Sequence, residues 1–103
     1  MASDVKRVIA MPELDSNKGQ FQLELRTYKG FNGQIVSAAH GQYVRDGMLT
    51  FELCGDFSEV YERSNARATQ KALEAQHAAA FGPESIAAIQ NSVRSFYAAK
   101  AVA

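Results

Sequence analysis

Gln34-Ile35-Val36-Ser37-Ala38-Ala39-His40-Gly41-Gln42-Tyr43-Val44-Arg45 is preceded by Asn32-Gly33 and followed by Asp46-Gly47. Both dipeptides suit two-residue type I′ hairpin turns, whose two central residues need positive φ. The stretch therefore reads as the middle strand of an antiparallel meander, and each turn predicts a register. Closing at Asp46-Gly47 sets Val44 opposite Leu49, Gln42 opposite Phe51, His40 opposite Leu53 and Val36 opposite Phe57. Closing at Asn32-Gly33 sets Ala38 opposite Thr27, His40 opposite Leu25, Gln42 opposite Leu23 and Val44 opposite Phe21.

Side chains alternate between the two faces of a strand. The two registers together collect Phe21, Leu23, Leu25, Val36, Val44, Leu49, Phe51, Leu53 and Phe57 on one face, with His40 and Gln42 as polar intruders. The opposite face then holds Gln22, Glu24, Arg26, Tyr28, Ile35, Tyr43, Arg45, Met48, Thr50, Glu52 and Cys54 around a small strip, Ser37-Ala39-Gly41. A slip of one residue at either turn exchanges the faces of a whole strand.

Upstream, residues 1–4 read as a flexible N-terminus. Val5 to Met11 suits an edge strand that Pro12 ends. Gln20 to Tyr28 alternates as the first meander strand, and Met48 to Cys54 is the third. Gly55-Asp56 allows either a bulge or a capping box with Glu59. Continuation of the strand to Tyr61 is preferred because Phe57 lands on the apolar face, so the meander spans 20–61. Ser64 or Asn65 caps a helix over Ala66 to Phe81, with Gly82 as its C′ residue. Pro83 opens a second helix to about residue 101, with Ile86, Ile89, Val93, Phe96 and Tyr97 as its apolar stripe. The predicted fold is α+β: a three- to four-stranded antiparallel meander followed by two C-terminal helices packed on one face.

A chain of 103 residues reads as one domain, 1–103. Lys plus Arg equals Asp plus Glu at 11 each, which argues against a duplex-DNA binder. A single cysteine, Cys54, rules out an internal disulfide and points to a reducing compartment. The chain shows neither a long apolar leader segment nor an apolar run near the ~20 residues of a membrane span. These features predict a cytoplasmic protein with no membrane partner.

Several residues have side chains capable of chemistry. His40 and Gln42 under the helices would each need a partner; their alternative role is a small ligand or enzymatic pocket with His77 nearby. A lone histidine without a positioned carboxylate or nucleophile is not a mechanism, so no catalytic residue is assigned. Two distant histidines and one cysteine do not make a metal site, and no cofactor is implied. Cys54, near Glu52 and Asp56, reads as a small strand residue rather than a reactive thiol.

On the outer face, Tyr28 and Tyr43 with Arg26 and Arg45 resemble the aromatic and basic platforms that bind single-stranded RNA. Strands followed by a helix is also the order in double-stranded RNA-binding domains. Those have a preceding helix and a basic cluster opening the last helix, where this chain has only Arg67 and Lys71. The leading expectation is an interaction protein that pairs with itself or with another protein, as a homodimer. RNA binding through Tyr28, Tyr43, Arg26 and Arg45 is the alternative, and a pocket at His40 and Gln42 the third reading.

Overall fold

The computed structural model describes the backbone of residues 3–46, 48–50 and 57–102, and the side chains of 3–46 and 57–100. Expectations for Leu49 as a side chain and for Phe51, Glu52, Leu53, Cys54, Gly55 and Asp56 lie outside the described residues. Five strands, β1 (Val5–Ala10), β2 (Gln20–Lys29), β3 (Ile35–Arg45), β4 (Met48–Thr50) and β5 (Ser58–Ser64), precede helices α1 (Gln70–Ala80) and α2 (Pro83–Val102). All strand pairs are antiparallel. The order runs β1-β2-β3, and both β4 and β5 lie along the far edge of β3. β4 pairs with residues 43–45 and β5 with residues 35–40. The result is the expected α+β meander, with its last lane in two pieces. Residues 58–64 continue as strand rather than opening a helix.

Val44 pairs with Leu49 as expected, with Asp46 at φ 52°. The first hairpin does not follow its expected register. Phe21 faces Tyr43, Leu23 faces Gly41, Leu25 faces Ala39 and Thr27 faces Ser37, one residue away from the two-residue-turn register. The cause is local. The Gly30 N–H donates to the Gln34 carbonyl at 2.8 Å and the Gly33 N–H to the Gly30 carbonyl at 3.0 Å. Gly33 has φ +82°, whereas Asn32 is not left-handed. Phe31-Asn32-Gly33 is thus a three-residue loop ending in a left-handed glycine, a common hairpin alternative. The extra loop residue turns β3 over. Val36 and Val44 leave the core face, and so do His40 and Gln42. Val36 pairs with Arg63 of β5 rather than with Phe57.

Packing explains why this register is preferred. The small strip Ser37-Ala39-Gly41 lies beneath the protein's own aromatic rings. A Cβ built on Gly41 would stand 2.8 Å from Phe21 Cζ and 3.0 Å from the Tyr97 hydroxyl. Phe21 meets Tyr43 and Tyr97 edge-on, with centroids 5.3 Å and 5.1 Å apart. Phe57 meets Phe96 at 5.7 Å. Such edge-to-face pairs add to plain area burial. Under the expected register this space would hold His40 and Gln42.

Both helices cover this face. Thr69, not Ser64 or Asn65, caps α1, its hydroxyl accepting from the Ala72 N–H at 3.1 Å. β5 runs through Ser64, so the chain needs the following residues to cross from the sheet edge to the helix layer, despite their helical propensity. Gly82 does not end α1 in a left-handed turn; its carbonyl accepts from the Ile86 N–H at 2.9 Å and so opens α2 ahead of Pro83. Ile86, Ile89, Val93, Phe96 and Tyr97 all pack into the core cluster of Phe21, Leu23, Leu25, Tyr43 and Phe57. The stripe of α2 is therefore spent on its own sheet.

Candidate functional site

With both helices on one side, the other side of the sheet carries no helix among the described residues. The pairing places Tyr28 beside Val36, Arg26 beside Ala38, Glu24 beside His40 and Gln22 beside Gln42 on that side. β1 adds Lys6 and Val8, and β5 adds Ser58, Val60 and Arg63. Val36 and Ala38 are buried although no helix lies over them, because larger side chains flank them on both neighbouring strands. Val8 and Val60 are 50% and 42% exposed.

Polar groups on this face are organised around Arg26 and His40. The Arg26 Nε donates to Asp4 Oδ2 at 2.9 Å, the Nη2 reaches the same oxygen, and the guanidinium lies 4.6 Å from the Tyr28 ring centre. The pair of contacts holds Arg26 flat on the sheet. His40 Nδ1 lies 3.0 Å from Ser58 Oγ. Burial pushes the His40 imidazole below its ordinary value, Glu24 opposes that shift and Arg26 reinforces it. Ser58, His40 and Glu24 form a row of nucleophile, base and acid residue types across three strands. Acyl transfer also needs oxyanion donors fixed around a sequestered substrate. The row lies on a flat face. A groove of about 360 Å³ lies elsewhere, between Tyr61 and the small helix residues Ala79, Ala88 and Ser92.

Four of the six residues singled out from the sequence, Tyr28, Arg26, His40 and Gln42, share this face. Tyr43 and Arg45 lie on the helix side, because the register change inverts β3 relative to β2. Tyr43 is 7% exposed among the core rings, and its hydroxyl donates to the Leu14 carbonyl at 3.4 Å. Arg45 Nη1 donates to the Asn17 carbonyl at 3.3 Å. A platform made of the two tyrosines does not form.

The polar cluster between sheet and helices is made of other residues. Thr27 Oγ1 lies 2.7 Å from Ser37 Oγ and 2.9 Å from His77 Nδ1. Gln76 Nε2 donates to Ser37 Oγ at 3.1 Å and to the Ile35 carbonyl at 3.2 Å, and Ser64 Oγ donates to Gln76 Oε1 at 2.7 Å. Among the described residues no buried side-chain polar atom lacks a partner. The signal in the sequence was Thr27, a polar residue continuing the alternation of Phe21, Leu23 and Leu25. It pointed to this cluster only once Ser37 stood opposite.

Burial lowers the His77 imidazole below its ordinary value, and the charge of Arg7 adds to this. Both histidines therefore bind their proton less tightly in the folded chain than in the unfolded one. Below the ordinary value near 6.5 the unfolded chain holds more protons. Their contribution to stability is complete above that pH and is lost as pH falls through the lowered values. Urea unfolding at pH 7.5 and pH 5 is expected to give a lower midpoint at pH 5, with the difference reduced in the double variant His40→Gln, His77→Gln.

Among the described residues no group of three or more His, Cys, Asp or Glu could hold a metal ion. Within the same residues no helix is long and apolar enough to cross a membrane. No protein-family model matches this chain, and no curated protein or solved structure does either.

Proposed function

We propose that the protein acts by binding and that the occupant of the open sheet face is a second copy of the same chain. The observation that carries this reading is the one-sided helix layer. The apolar stripe of α2 is used internally, while Val8 and Val60 stand exposed beside Val36 and Ala38 on the other side. Charge favours a copy over a nucleic acid. A two-fold contact brings a patch against itself, so a patch of one sign would repel its mate. This face carries both signs, Lys6, Arg26 and Arg63 with Asp4 and Glu24, and the chain has no net charge.

Sedimentation equilibrium at tens of micromolar is expected to show a dimer. The pair Val8→Glu, Val60→Glu is expected to convert it to monomer and to lower Tm only to that of the wild type diluted until it dissociates, since both side chains are exposed in the monomer. A strict monomer at that concentration would overturn the reading. Salt-sensitive binding of a single-stranded RNA oligonucleotide, lost in Tyr28→Ala, would assign the face to RNA instead, with the Arg26–Tyr28 stack as the base platform.

A further inference from the structure

The hydrogen bonds between α1 and the sheet have a direction that can be worked out atom by atom. The Ile35 carbonyl can only accept, so the Gln76 atom 3.2 Å from it is the amide nitrogen. The second N–H of that nitrogen donates to Ser37 Oγ at 3.1 Å. Gln76 Oε1 accepts from Ser64 Oγ at 2.7 Å, which fixes the same amide orientation. Ser37 and Thr27 are both 0% exposed, so bulk water does not reach their hydroxyls. Ser37, already accepting from Gln76, gives its own proton to Thr27 Oγ1 at 2.7 Å. Thr27 in turn gives its proton to His77 Nδ1 at 2.9 Å. His77 Nδ1 is then an acceptor, and the imidazole proton sits on Nε2.

We infer that Gln76, Ser37, Thr27 and His77 form a one-way hydrogen-bond relay that makes the seating of α1 on the sheet conditional on an uncharged His77. A proton on Nδ1 makes that atom a donor. Thr27 must then accept from it and turn its own proton toward Ser37. Ser37 now receives from two sides, and its proton has no acceptor while Gln76 occupies the Ile35 carbonyl. A buried hydroxyl without its partner is costly, and the cost falls on the contact between α1 and the sheet.

The charged and titratable groups on this side of the sheet are few. β1 contributes Arg7, whose charge also opposes protonation of His77. β2 contributes Lys29 at its end, and β5 contributes Glu59, Tyr61 and Glu62. β3 contributes Tyr43 and Arg45 at its far end, and Glu74 lies one turn earlier on α1. The Phe81 ring, 4.9 Å from the imidazole, covers His77 from the helix end.

The test is ¹⁵N NMR of the imidazoles on the full chain between pH 8 and pH 4.5, with His40→Gln leaving His77 as the one histidine. The expected result is the Nε2–H tautomer at neutral pH and a midpoint below that of free imidazole side chains. Amide exchange across α1 is expected to accelerate through the same midpoint. Gln76→Met does not touch His77, yet it frees the Ile35 carbonyl to accept from Ser37. It is expected to move the His77 midpoint upward. Should that variant fail to fold, Gln76→Leu, which likewise removes the donor without adding a charge, is expected to move it the same way. An Nδ1–H tautomer at neutral pH, or a midpoint unmoved in the folded Gln76 variant, would overturn the relay.

Discussion

Phe21→Ala is expected to lower the free energy of unfolding by about 3–5 kcal/mol, the usual cost of emptying a buried phenylalanine site. Phe21 is 1% exposed and its ring is the shared neighbour of Tyr43 and Tyr97. Removing it leaves both tyrosine rings facing a void, and Gly41 beneath has no side chain to relax into the space. For a domain of this size the change corresponds to a fall in Tm of roughly 15 °C or more. Thermal unfolding followed by circular dichroism reads it directly. A fall of only a few degrees would mean that the three rings do not form the centre of the core.

Gly41→Ala is the second large effect and tests the register of β3 itself. A methyl group there would stand 2.8 Å from Phe21 Cζ, closer than real contacts sustain, and 3.1 Å from Phe21 Cε2, tighter than most. Either the rings shift or β3 bends, and such overpacking typically costs about 1–3 kcal/mol. The obstructing atoms are the far ends of two side chains, Phe21 and Tyr97, with Phe21 the nearer, so the effect couples to residue 21. In a Phe21→Leu background the same Gly41→Ala change is expected to cost less, with a coupling of about 0.5–3 kcal/mol. Urea unfolding of the wild type, the two single variants and the double variant gives the cycle. Had β3 kept the register of a two-residue Asn32-Gly33 turn, Gly41 would face the open side. Alanine there would then be close to neutral, and that outcome would refute the observed pairing.

These two variants bear on the point where sequence reading and structure part. The order of strands and helices was legible, although the last lane of the sheet is two strands and not one. β2 alternates cleanly, Val44 pairs with Leu49, and Pro83 opens a helix with an apolar stripe. The first hairpin was misread because Asn-Gly supports both a two-residue turn and the end of a three-residue loop. Local chemistry does not separate these, since in both the glycine is left-handed. The difference of one residue moved His40 and Gln42 to the open side and Tyr43 and Arg45 under or beside the core. The start of α1 was misplaced for a similar reason. Ala66, Arg67 and Ala68 suit a helix locally, but the chain must there cross from the sheet to the layer above it.

The sequence by itself determined which segments are extended and which are helical, because alternation and 3.6-residue spacing record which side of each segment is apolar. Only the tertiary structure decided which side of β3 meets β2's large residues. The volume left under Phe21 and Tyr97 admits a glycine and not a histidine. That choice rests on contacts between residues far apart in the chain. It also decided which polar groups were sealed beneath α1 and which were left on the other face of the sheet.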